Sequence, residues 1–200
     1  MRKDVRRHRF WDNFNIYSID GIGKYQIPDC VERPEIYVDR LVGFQQAINI
    51  SQEKRERIGI HFWNQVPSRL WYNLIRYTKM VETFSAVISP VYPMDAEMPK
   101  ALRIWNLYKS RYLCAYWQDM GMNAIPSIVW DAEEDYDMIF NGIPYESAVA
   151  VYPKNTDTWM RGYEEMKERI NPEIIYFFGE IPKEITGDNI IMINGKGGQG

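Results

Sequence analysis

The sequence predicts an α/β domain, a mostly parallel sheet covered by helices. Two observations lead there, and a third bears on how the sheet closes. Short apolar runs alternate along the chain with longer segments of helical periodicity. Those runs are near-continuous rather than alternating, as in strands buried on both faces. No glycine-rich nucleotide fingerprint joins a strand to a helix. Right-handed crossovers limit such a chain to an open doubly wound sheet or a barrel. The missing fingerprint favours a small or incomplete TIM-barrel-like arrangement, with the open doubly wound sheet as the alternative. A complete eight-fold barrel takes about 250 residues, and this chain has 200.

The elements follow in order. Residues 1–13 read as a basic arm and 15–19 as a short strand. Gly21, Gly23, Pro28 and Pro34 make 20–34 a loop. An apolar strand at 41–48 (LVGFQQAI) is joined by the charged stretch 51–57 to a second at 58–63 (IGIHFW). Over 67–81, Leu70, Trp71, Leu74, Ile75, Thr78 and Val81 recur at helical spacing. A third strand, 84–89 (FSAVIS), stops before Pro90 and Pro93. A long aromatic helix spans 96–120, with Pro99 tolerated in its first turn and Gly121 closing it. A strand at 124–130 leads into a short helix at 131–140, whose early acids suit the helix dipole. A strand at 147–152 (SAVAVY) precedes a helix over 156–170, capped by Thr156 or Asp157. Strands at 173–178 and 189–193 end a single domain over 14–194, and 195–200 (GKGGQG) is a flexible tail.

Composition narrows the function classes. Seven Trp and fourteen Tyr are many for this length, and their polar tips suit core edges, pockets and interfaces. The net charge is −3, but Arg2, Lys3, Arg6, Arg7 and Arg9 crowd the first nine residues against Asp4 alone. The body is therefore distinctly acidic, which argues against wide phosphate-backbone contacts. Cys30 and Cys114 stand far apart, and His8 and His61 are the only histidines, so no metal spacing appears. No secretory leader opens the chain, and no apolar run approaches the roughly 18 residues of a membrane span. A cytoplasmic location, in a reducing compartment, fits. No cofactor is indicated.

Ligands of parallel α/β folds collect at the carboxyl ends of the strands. Those ends bring forward His61 and Asp131 as candidate catalytic groups, a proton-transfer base and an acid or metal ligand. A core histidine and a solvated helix start are the structural alternatives. Asn64, Tyr92, Trp117 and Trp130 join them as candidate ligand contacts. Asn106 and Arg111 lie in the aromatic helix, where charge among tryptophans must be compensated by a ligand or an ion pair. The acids Asp131, Glu133, Glu134, Asp135 and Asp137 match no EF-hand spacing. The arm residues Arg2, Lys3, Arg6, Arg7 and Arg9, interleaved with aromatics, could neutralise phosphates and stack bases.

Several motifs carry a resemblance. Met98-Pro99 opens the helix that holds IWNLYKSR at 104–111 and AYWQ at 115–118; IPSIVW stands at 125–130. NGIPYESAVAV at 141–151 and GYEEMKERINPEIIYFFG at 162–179 follow. Together they resemble a phage and prophage family known as domain of unknown function 4417, over most of 41–179. The chain departs from that family at two strand ends, with Asn64-Gln65 in place of an acidic pair and Tyr152-Pro153 in place of a hydroxyl residue. The resemblance implies a phage or mobile-element origin and an α/β fold, and supplies no activity.

The expectation is a phage-encoded accessory protein that binds and modulates a host or phage macromolecule through an aromatic-rich surface. A barrel-type enzyme or binder of a phosphorylated or nucleotide ligand, using His61, Asp131 and Arg111, is the alternative. Nucleic-acid binding through the arm, in phage replication, is a second.

Overall fold

A two-residue alternation organises the strands. The central strands bury one set of side chains under helices and the other in a shared interior. A computed structural model describes residues 19–31, 38–63, 68–187 and 189–193. The arm residues Arg2, Lys3, Arg6, Arg7 and Arg9, Asn64, the tail at 195–200 and nearly all of the 15–19 strand lie outside the described residues.

A two-stranded antiparallel hairpin, β1 (Gly21–Ile22) and β2 (Ile27–Pro28), occupies the segment expected to be loop. A four-stranded parallel sheet then follows the chain: β3 (Arg40–Gly43), β4 (Ile58–His61), β5 (Ala86–Ile88) and β6 (Ala124–Ile125). A second parallel sheet is ordered β7 (Ser127–Ile128), β8 (Val149–Val151), β9 (Ile175–Phe178) and β10 (Ile190–Ile193). The α/β class is as expected. The barrel-like closure is not established: β3 and β10 are not paired among the described residues, and the open arrangement fits.

Pro126 divides the strand expected at 124–130. Its missing N–H interrupts the ladder, so β6 pairs with β5 and β7 with β8. Ser89 bridges the gap. Its hydroxyl accepts the Ser127 N–H at 2.8 Å, and its carbonyl accepts the Ser127 hydroxyl.

Three apolar clusters result. Val42, Ile58, Ile60, Val87 and Ala124 pack under the helices of the first sheet. Ile128, Val149, Val151, Ile175 and Phe177 do so in the second. The opposite faces, Ala86, Ile88, Ile125, Ala148, Ala150, Tyr176, Phe178 and Ile193, form one inner cluster shared by both sheets.

The helices differ from expectation at their ends. The 41–48 run is a strand only to Gly43; Phe44–Ala47 turns into α1, which lays Phe44 on Phe62 at 5.1 Å. The 67–81 helix is two, α2 (Ser68–Tyr72) and α3 (Leu74–Val81), broken where Asn73 leaves helical geometry at φ −128° and ψ 42°. The aromatic helix α4 spans Lys100–Asp119, beginning just after Pro99, and Gly121 beyond it takes a φ of 83°. Only glycine adopts that conformation without strain. A 3-10 turn at Glu133–Asp135 precedes α5 (Tyr136–Ile139). Helix α6 (Asp157–Ile170) starts at Thr156, whose hydroxyl accepts the Trp159 N–H at 3.1 Å, and ends at left-handed Asn171.

Candidate functional site

The carboxyl ends of the strands converge on an aromatic plug. His61 ends β4 and meets Phe178 of β9 edge-on at 5.2 Å. Tyr152, following β8, stacks on Phe178 at 4.4 Å, and Trp63 tilts onto it at 5.5 Å. The His61 Nδ1 accepts the Trp63 N–H at 3.2 Å. Burial pushes His61 down to about 4, so it is a neutral imidazole at ordinary pH. With 6% of its surface exposed, it packs as a satisfied aromatic.

The polar residues of α4 explain themselves through the loop that follows β5. Proline-rich, this loop leaves carbonyls that need donors. Ser110 donates to the Pro90 carbonyl and Asn106 to that of Pro93, both at 2.7 Å. Arg103 donates to Ala96 and Met98 carbonyls at 2.9 and 2.6 Å. These three residues lie on one helix face and clip the loop down. Tyr92 in that loop is buried with its hydroxyl unpartnered, and its ring lies 4.1 Å from the Lys109 ammonium. Tyr92, Asn106 and Ser110 line a cavity of about 10 Å³, too small for a substrate.

The remaining expected residues go elsewhere. Arg111 is 2% exposed and donates to the Ile139 carbonyl at 2.7 Å. Trp117 and Trp130 are fully buried: the first donates to Thr78 at 3.1 Å and the second to the Trp159 carbonyl at 3.0 Å. Asp131 accepts from Lys154 at 2.7 Å and from the Ala96 N–H at 2.9 Å, and Lys154 chiefly holds its carboxyl below the usual range. His61, Arg111 and Asp131 thus share no contact partner. The structure brings Tyr92 and Asn106 together and leaves these three apart.

Every acid of the 131–137 run carries a cation. Glu133 pairs with Arg161, Glu134 with Arg103, and Asp137 with Arg169 at 2.8 Å. Asp135 is 1% exposed and lies 2.6 Å from Arg103, itself 3% exposed. That buried pair fastens the start of α4 to the turn at Glu133–Asp135. No group of three or more metal-ligating side chains occurs among the described residues.

An open groove lies on α2 and α3. It encloses about 470 Å³ and is lined by Tyr72, Asn73, Ile75, Arg76 and Lys79. Tyr72 is 60% exposed and Ile75 53%. The stretch 68–80 contains Arg69, Arg76 and Lys79 and no acid; none of the three makes an ion pair among the described residues. Beside it α4 carries an aromatic staircase. Trp105, Tyr108, Tyr112 and Tyr116 stack at 5.6, 6.0 and 6.0 Å, and Trp71 wedges against Trp105 at 5.5 Å. Sequence reading took Leu70, Trp71, Leu74 and Ile75 as one helical stripe. The available signal was the acid-free run of cations around Tyr72.

Comparison with known proteins supplies kinship. A family model described as a domain of unknown function, DUF4417, matches residues 19–196. The Gene 1 protein of Mycobacterium phage L5 is 30% identical over 174 residues, covering 82% of this chain and 75% of that protein. The Gene 1 protein of Mycobacterium phage D29 is 26% identical over 167 residues, 78% of this chain and 61% of that protein. No solved structure matches. No helix among the described residues is long and apolar enough to cross a membrane.

Proposed function

We propose, for a chain that belongs to the DUF4417 family with its phage relatives, an accessory role: it binds and modulates a host or phage protein by seating an acidic, apolar segment of that partner in the α2–α3 groove. The observation that carries this reading is the groove itself, where exposed Tyr72 and Ile75 stand beside Arg76 and Lys79, which no carboxylate among the described residues neutralises. Aromatic anchors in a concave site supply most interface energy, and unpaired cations select an anionic partner and speed its approach. A protein partner fits better than nucleic acid, because the body of the chain is acidic and, among the described residues, the groove is lined by two basic side chains, Arg76 and Lys79.

A photo-crosslinking residue at position 73, expressed in host cells, tests the reading. The expected product is a crosslink to one protein through an acidic segment. It weakens with salt and disappears in the Arg76→Glu, Lys79→Glu double variant. A crosslink that nuclease removes, or one indifferent to the charge reversal, overturns it.

A further inference from the structure

The turn between α5 and β8 carries chemistry of its own, away from the groove. We infer that Asn141 and Gly142 form a self-modifying step, a spontaneous deamidation site whose conversion loosens the β1–β2 hairpin from the body of the domain. Asn141 is exposed and Gly142 half-buried in this turn. Position 142 requires glycine on two counts. Its φ is 75°, in the left-handed region that favours glycine, and a Cβ there would lie 2.5 Å from the Asp29 Oδ1. No side chain therefore shields the nitrogen that follows Asn141. Among the described residues, no hydrogen bond occupies the Gly142 N–H or the Asn141 carboxamide. The attacking nitrogen and the carbon it must reach are both uncommitted.

The same turn anchors the hairpin segment. The Gly142 carbonyl accepts the Cys30 N–H at 2.8 Å. Val31, the next residue, is held at both backbone atoms by Gln118 of α4, at 2.7 and 3.0 Å. A Cβ at Gly23, in the hairpin's own turn, would lie 3.3 Å from the Asn141 Nδ2. The Asn141 side chain thus sits against the hairpin that its neighbour holds.

The reaction needs only water as co-reactant. The Gly142 nitrogen gives its proton to hydroxide and attacks the side-chain carbonyl carbon of Asn141. A C–N bond forms and closes a succinimide; the bond from that carbon to the side-chain nitrogen breaks, and ammonia leaves with a proton from solvent. Water then opens the ring at one of its two carbonyls. Opening on one side leaves aspartate. Opening on the other leaves isoaspartate, in which the main chain runs through the former side chain and is one carbon longer. An amide and water become a carboxylate and ammonium, with no change of oxidation state. Either product adds a negative charge one residue from the contact between Gly142 and Asp29, where like charges repel. Isoaspartate also displaces the Gly142 carbonyl that holds Cys30.

The full chain, incubated in mildly alkaline buffer, provides the test. Peptide mapping is expected to show Asn141 lost ahead of the asparagines not followed by glycine, as a mixture of aspartate and isoaspartate, and faster as pH rises. Asn194 also precedes a glycine, so the Asn194→Gln variant is used to isolate the signal. Ion exchange separates the converted chain by its extra negative charge. In that fraction, hydrogen exchange at the Cys30 amide speeds about fivefold, the effect of losing one backbone hydrogen bond, while the amides of α6 keep their rates. Asn141→Gln blocks both changes, because the ring it would have to close is larger. Asn141 lost no faster than the asparagines without a following glycine, or conversion that leaves Cys30 exchange unchanged, overturns the inference.

Discussion

Helices α3 and α6 do the same job on different sheets, and their outer faces diverge. Each buries a stripe: Leu74, Thr78 and Val81 in α3, and Trp159, Tyr163, Met166 and Ile170 in α6. On the solvent side, every cation of α6 is paired. Arg161 pairs with Glu133, Lys167 with Glu164 at 3.4 Å, and Arg169 with Glu165 and Asp137. Exposed pairs of this kind contribute only about 0–1 kcal/mol each, so their value is a surface with nothing left to bind. Helix α3 has no side-chain cap, leaves Arg76 and Lys79 unpaired among the described residues, and exposes Ile75. Packing fixes the inner face of both helices; only the outer faces show which one is kept open.

The largest expected effect breaks the tie between the two halves. Helix α4 serves both, with Leu107 in the second sheet's cluster and Tyr112, Leu113 and Trp117 in the first's. Its start depends on the buried Arg103–Asp135 pair. Arg103→Met strands a buried carboxylate and costs about 3–5 kcal/mol. Urea denaturation measures it, and adding Asp135→Leu restores most of the loss. A single variant of wild-type stability would show that the pair is not what joins the halves.

Acid acts on the β3–β6 half next. The unfolded chain protonates His61 near 6.5, the folded one only near 4. The unfolded state therefore binds more protons between these values, and stability falls as pH drops through that window. The loss approaches about 3 kcal/mol at its lower end and is absent above pH 6.5. His61→Asn flattens this part of the profile. A variant with the same acid slope as the wild type would assign the slope to the carboxylate pairs instead.

A smaller effect probes α6 alone. A Cβ at Gly162 would sit 2.2 Å from the Trp130 Nε1. Mid-helix Gly→Ala ordinarily gains about 0.5–1 kcal/mol. Here overpacking against a buried indole reverses the sign and costs about 1–3 kcal/mol. A thermal melt of Gly162→Ala shows which term wins.

These residues also mark what the sequence could say. The buried strands were legible as apolar runs, and the α6 cap as Thr156 or Asp157, because both signals are local. The division at Pro126 was less so, since a proline inside an apolar run does not say which neighbour each half pairs with. The turn of 44–47 into α1 was hidden because LVGFQQAI is as apolar as a strand and only the packing of Phe44 on Phe62 distinguishes them. At the site, the demand that Asn106 and Arg111 find partners was readable, but not that the Pro93 and Ile139 carbonyls would meet it.

The smallest effect on stability is the sharpest test of the contrast between α3 and α6. Tyr72→Ala removes a side chain that is 60% exposed and buries nothing in the core, so stability shifts by no more than about 0.5 kcal/mol. Binding of the crosslinked partner responds differently. An anchor aromatic contributes about 2 kcal/mol or more, roughly a thirtyfold loss of affinity. Glu164→Ala on α6 is the matched control. It removes an equally exposed side chain from a face already neutralised, and changes neither quantity. Calorimetry of both variants against the same partner separates a surface left open for binding from one that is merely solvated. Equal affinity losses, or none, would put the partner elsewhere on the molecule.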